Sequence, residues 1–138
     1  MQNVTLGRKV LNHIEAHREQ FDVKKWGRPD PACGTVACIA GHTVLMSGYR
    51  LQGPGEWKRP DGTVICGSVA YDAARLLGLS DREWHWSPGE DRCGLFSGSQ
   101  TDDEAIERFK AIVEAAEQAR TRFAELQELA DDPDWLGI

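Results

Sequence analysis

The stretch Cys33-Gly-Thr-Val-Ala-Cys-Ile-Ala-Gly-His42, running on into Thr43-Val-Leu-Met-Ser-Gly-Tyr49, decides how this chain folds. Val36, Ala37, Cys38, Ile39, Ala40, Val44, Leu45 and Met46 would surround a helix here with apolar side chains on almost every side. A helix of that kind belongs in an interior. Thr35 offers an N-cap and Gly48 a stop, so the helix is expected from Thr35 through Met46. Gly41 costs such a helix about 1 kcal/mol relative to alanine. Close approach of a neighbouring helix at Ala37, Ala40 and Gly41 would offset that cost.

Upstream, Leu6, Val10, Ile14 and Phe21 fall at helical spacing and predict a first helix from near Thr5 to about Phe21. Trp26 is expected to anchor the following turn in the core, and the two prolines of Gly27-Arg-Pro-Asp-Pro31 bar a continuing helix. Downstream, Pro60-Asp-Gly62 between short β-type runs predicts a small two-stranded ribbon within residues 49–66. A third helix is expected from Ser68 to about Leu77, with Gly78 as its stop. Ser80-Asp-Arg-Glu83 and Thr101-Asp-Asp-Glu104 are capping boxes. The second opens the longest helix, whose apolar stripe runs through Phe109, Ile112, Val113, Ala116, Ala119, Phe123, Leu126 and Ala130. Leu95-Phe96 is the expected anchor of the loop-rich region between them. The fold class is therefore mainly α: one compact helical domain over residues 1–138, with a central buried helix, a small β-ribbon and a long C-terminal amphipathic helix.

The 138 residues are enough to bury a core without a disulfide or metal staple. Net charge is −6, unevenly placed: residues 1–100 hold 12 Lys/Arg against 11 Asp/Glu, and residues 101–138 hold 4 against 11. Neither part has the basic field that a phosphate backbone requires, so nucleic acid is not an expected partner. No apolar stretch is long enough to span a bilayer and the polar N-terminus does not read as a secretory signal, so a membrane role is not expected and the cytoplasm is the expected compartment. Four cysteines in a reducing compartment are expected free, buried or metal-bound rather than paired.

Three constellations carry possible chemistry. Cys38 and His42 lie four apart, on one helix face, and with Cys33 and either Cys66 or Cys93 form an alternative zinc set. The spacing contains no C-x2-C, and Cys38 reads equally as a small hydrophobe on a buried helix. His13 and His17 repeat the i, i+4 spacing at the edge of a polar face, where such a pair is usually solvated. Cys33, just before the expected start of the second helix, is the alternative nucleophile, with His42 or His85 as base. His42 lies almost two turns inside that helix and points away from Cys33 unless the loop folds back. Finally, Trp84-His-Trp86 concentrates aromatic surface, and Trp57 on the ribbon adds to it, a composition that suits partner recognition. The alternative is that two tryptophans close the core.

The order Phe21…Trp26, Cys33-Gly-Thr-Val-Ala-Cys-Ile-Ala-Gly-His42, Ala73-Ala-Arg-Leu-Leu-Gly-Leu79 and Leu95-Phe96 resembles a group of small, largely uncharacterised proteins of actinobacteria and their phages. They share a Cys-Gly-Thr-x-x-Cys-Ile-Ala-Gly core, a Leu-Leu-Gly-Leu helix end and a Leu-Phe anchor, over roughly residues 10–115. They often carry Trp at the place of His42, which implies packing there rather than metal ligation. The resemblance implies fold and setting and no activity. The expected function is a non-enzymatic cytoplasmic protein that binds another protein through Trp84, Trp86 and Trp57, in a host-directed role if phage-encoded. No cofactor and no catalytic residue are expected. Self-association of two copies through the long helix is a further expectation.

Overall fold

Asn3 caps the first helix, α1 (Val4–Ala16), by accepting the amide of Leu6, and its own amide group reaches the Leu76 carbonyl at 3.0 Å. The computed structural model describes residues 1–30, 34–66, 69–84, 95–97 and 100–131. It is mainly helical, with small antiparallel sheets and a long final helix. Val10, Leu11 and Ile14 form the buried face of α1. The helix ends five residues before Phe21: His17 leaves helical geometry and a 3-10 turn at Arg18–Gln20 follows. Phe21 still enters the core, but from extended backbone paired with Ala37.

The second helix corrects the sequence reading at its start. Gly34–Val36 is a strand, β2, paired antiparallel with β1 (Arg28–Asp30), and α2 spans only Ile39–Met46 with Cys38 at its N-cap. Glycine and two β-branched residues make Gly34-Thr-Val36 a poor helical turn, and the ladder to Arg28-Pro-Asp30 offers its backbone better partners. The Ala37 amide is taken by the Gln20 carbonyl and the Cys38 amide by that of Lys25, which holds both residues out of the helix. From Ile39 to Val44 every residue of α2 is buried, and it packs against both α1 and α3 (Val69–Leu77).

Gly41 is closely approached, as its placement suggested, though by a loop and not by a helix. A Cβ there would lie 2.5 Å from the Trp26 carbonyl oxygen. The Trp26 backbone, not its ring, anchors this turn: the ring is 36% exposed, while the carbonyl accepts the Trp57 indole N–H at 2.8 Å.

Residues 50–66 form three strands where two were expected: β3 (Arg50–Gly53), β4 (Glu56–Lys58) and β5 (Val64–Cys66), in that order and antiparallel throughout. Trp57 sits on the central strand, faces inward and is 0% exposed, the largest side chain fully inside the core. Gly78 ends α3 at φ +64°, a left-handed conformation that lets the Leu79 amide reach the Ala74 carbonyl at 2.9 Å. Leu95 and Phe96 are buried, as expected of an anchor.

The Thr101 capping box forms in full, and the Ser80 box forms its carboxylate half, the Glu83 amide donating to the Ser80 carbonyl instead of its hydroxyl. In α4 (Asp81–Trp84) the Ser80 amide donates to Glu83 at 2.8 Å. At α5 (Asp102–Asp131) Thr101 and Glu104 exchange reciprocal 3.1 Å bonds. The apolar stripe of α5 is buried only as far as Val113, and every residue from 118 to 131 is exposed. No helix among the described residues is long and apolar enough to cross a membrane.

Candidate functional site

Two places on the fold gather the chemistry that the sequence singles out. The first is the start of α2. Cys38 is the thiol at the helix N-terminus, because the N-cap falls three residues later than expected. Two effects oppose each other there. Burial raises the thiol's pKa, and the amides of Gly41 and Ala40 lower it. Burial wins, and the thiol is pushed up to about 11, so it is neutral and unreactive at physiological pH.

His42, one turn further on, is 0% exposed. Its Nε2 lies 2.7 Å from the Gln20 carbonyl, which can only accept, so Nε2 carries the proton. Nδ1 is left a buried acceptor without a hydrogen-bond partner among the described residues. The ring stacks on Phe21 and lies 5.3 Å from the ring of His13, which in turn lies 4.7 Å from that of His17. The His13–His17 pair is therefore not simply solvated: His13 turns inward, bonds the Gln20 side chain and covers His42. Among the described residues no group of three or more His, Cys, Asp or Glu side chains is placed to hold a metal ion. Cys33 and His85 lie outside the described residues, as does the side chain of Cys66.

Desolvation holds His42 below the ordinary value of 6.5, and charge on His13 or His17 would push in the same direction; the Gln20 carbonyl opposes both. In the unfolded chain this imidazole takes up a proton near 6.5, and in the folded chain only at lower pH. Between those values the unfolded state binds more protons. The contribution to stability is therefore full above 6.5 and declines as pH falls, by up to about 1.4 kcal/mol per pH unit. Denaturation midpoints are expected to drop between about pH 7 and about pH 5, with a flatter profile for His42→Phe. Identical slopes for the two proteins would contradict the buried, neutral His42.

A third cluster escaped the sequence reading. Asp72 on α3 is buried and accepts from the Tyr49 hydroxyl, from Arg59 Nε at 2.8 Å and from Arg59 Nη2 at 3.1 Å. The Arg59 guanidinium holds the Asp72 carboxyl below the usual carboxylate range, and burial followed by Asp72 raises the Tyr49 phenol. A carboxylate so fully satisfied is a poor acid or base, and the cluster acts as a clamp between the three-stranded sheet and α3. Its one sequence signal is that Asp72 falls among Val69, Ala73 and Leu77 on the apolar face of a predicted helix.

The second place is the surface around Trp84. This residue closes α4, half-buried, with its ring edge-on to Tyr71 at 5.2 Å and 6.1 Å from Phe96. Tyr71 is 65% exposed on α3. The two rings rim an open cavity of about 490 Å³ whose walls include Arg75, Leu79 and Glu83. Trp57 does not belong to this surface. Its burial in the core removes it from the partner-binding set, for a reason the sequence could not show: the third strand and the Trp26 loop enclose it. Trp86 lies outside the described residues.

Comparisons with protein-family models, with curated proteins and with solved structures find no match to this chain.

Proposed function

We propose that the chain is a non-enzymatic, cytoplasmic protein-binding domain that engages its partner through the Trp84 surface. One observation carries this reading: a tryptophan and an exposed tyrosine meet edge-on at the rim of an open cavity, with an arginine beside them. Trp, Tyr and Arg are the residue types that dominate binding energy at protein interfaces. The rings are positioned by two helices, so little conformational freedom is lost when a partner covers them. In a phage-encoded chain that binding would be host-directed.

A thiol enzyme built on Cys33 and His42 is disfavoured by the geometry of the base. A general base must reach the group it deprotonates, and His42 is enclosed with its Nε2 committed to a backbone carbonyl.

Affinity capture with Tyr71→Ala, Arg75→Ala, Trp86→Ala and Cys33→Ala tests the proposal. Tyr71 and Arg75 have exposed side chains, so their variants are expected to keep the wild-type circular dichroism spectrum. Retention of partner is expected to fall about tenfold or more in the Tyr71 and Arg75 variants and to be unchanged in Cys33→Ala. Loss of the biological effect in Cys33→Ala, with folding and capture intact, would overturn the reading in favour of thiol chemistry.

A further inference from the structure

The far half of α5 stands clear of the domain. Arg8 on α1 donates Nε to Glu117 at 3.0 Å, the last side-chain tie of this helix to another element among the described residues. Residues 118–131 then project about 21 Å beyond it, at 1.5 Å per residue. Phe123 is 69%, Leu126 54% and Leu129 46% exposed. Three large apolar side chains on one overhanging helix are not needed to hold the domain together.

We propose that a second copy of this chain covers them, the two overhangs pairing antiparallel about a two-fold axis between residues 124 and 125. Ala119, Phe123, Leu126 and Ala130 are spaced four, three and four apart, the seam of a two-stranded coiled coil. The run reads small, large, large, small, and an antiparallel partner reads it in reverse. Phe123 then meets Leu126 of the other copy, and Ala119 meets Ala130. The charges are divided between the two ends of the overhang. Arg120 and Arg122 occupy the near end of the overhang, and Glu125, Glu128 and Asp131 the far end. Antiparallel pairing sets the basic end of each copy against the acidic end of the other, whereas parallel pairing would set like against like.

The domain leaves room for this arrangement. A groove of about 630 Å³ runs between the start of α1 and α5, with Val4, Ile112, Ala116 and Ala119 among its walls. In the antiparallel register residues 130 and 131 of the partner helix arrive at the Ala119 end of that groove, where the small side chain allows them to lie close. The contact is isologous and closes at two copies. A seam of about two heptads is short compared with obligate interfaces, so the dimer should be reversible.

Sedimentation equilibrium of the full chain over a micromolar concentration series tests this. The average mass is expected to rise with concentration from 15.4 kDa to twice that value and no further. Leu126→Glu and Phe123→Glu, both at exposed positions, should remain monomeric with unchanged thermal midpoints. Reversing Arg120 and Arg122 to Glu together should weaken association about tenfold. Adding Glu125→Arg and Glu128→Arg to that pair should restore it. A monomer at every concentration would overturn the proposal, as would association indifferent to Leu126→Glu. Association unchanged by the double arginine reversal would overturn the antiparallel sense, because parallel helices would only exchange one like-charge contact for another.

Discussion

Trp57→Ala is expected to destabilise the protein by about 3–5 kcal/mol, the usual cost of truncating a fully buried aromatic side chain. A domain of this size has only about 5–15 kcal/mol in total, so the variant should lose a large fraction of its stability. Two effects combine. The core loses the largest side chain it encloses completely, and the Trp26 carbonyl loses the indole N–H that it accepts at 2.8 Å. Trp57→Phe separates them, since it keeps most of the volume and removes only the donor. Its cost should be the smaller, about 1–3 kcal/mol for a buried acceptor left without a partner. Urea denaturation of the three proteins reads both. A loss below about 1 kcal/mol for the alanine variant would return Trp57 to the surface, where an exposed partner-binding ribbon would have it.

Gly41→Ala reverses in sign what helix propensity alone would suggest. Alanine is favoured over glycine in a helix interior by about 1 kcal/mol. Here the added methyl would lie 2.5 Å from the Trp26 carbonyl oxygen and 2.6 Å from the Ala37 Cβ. Neither neighbour is the movable end of a long side chain, so relief requires shifting the turn that also holds Trp57. Overpacking of this kind costs about 1–3 kcal/mol, and with two contacts this short it outweighs the propensity gain. The expected outcome is a lowered thermal midpoint with the helical signal otherwise intact. A raised midpoint would mean that the Trp26 turn does not sit against α2.

The parts of the fold that were legible in the sequence are those set by short-range chemistry. Thr101 and Glu104 announce the start of α5, Ser80 and Glu83 that of α4, and Gly78 the end of α3, each through one or two local hydrogen bonds. The interior character of α2 was legible because its apolar residues leave no polar face. What was not legible depends on partners far along the chain. Gly34–Val36 becomes a strand only because Arg28–Asp30 lies beside it, and that pairing moves the N-cap from Thr35 to Cys38. The inward turn of Trp57 depends on a third strand and on a carbonyl 31 residues away. Tyr49, Arg59 and Asp72 carry no common spacing and meet only in the folded chain. At the candidate site, Trp84 was legible as an aromatic of the right type. Its pairing with Tyr71 was not: helical spacing places Tyr71 opposite Val69, Ala73 and Leu77, but nothing local brings it beside a ring 13 residues on.

The central claim, that the Trp84 surface binds another protein, is tested most directly by placing a photo-crosslinking phenylalanine analogue at position 71. That position is open to solvent and beside Trp84. The account predicts a discrete covalent adduct with one protein on irradiation of the expressing cells, competed by unlabelled chain and lost with Arg75→Ala in the same molecule. An absence of adduct from position 71, together with saturable labelling of Cys33 by a substrate-like electrophile, would contradict it.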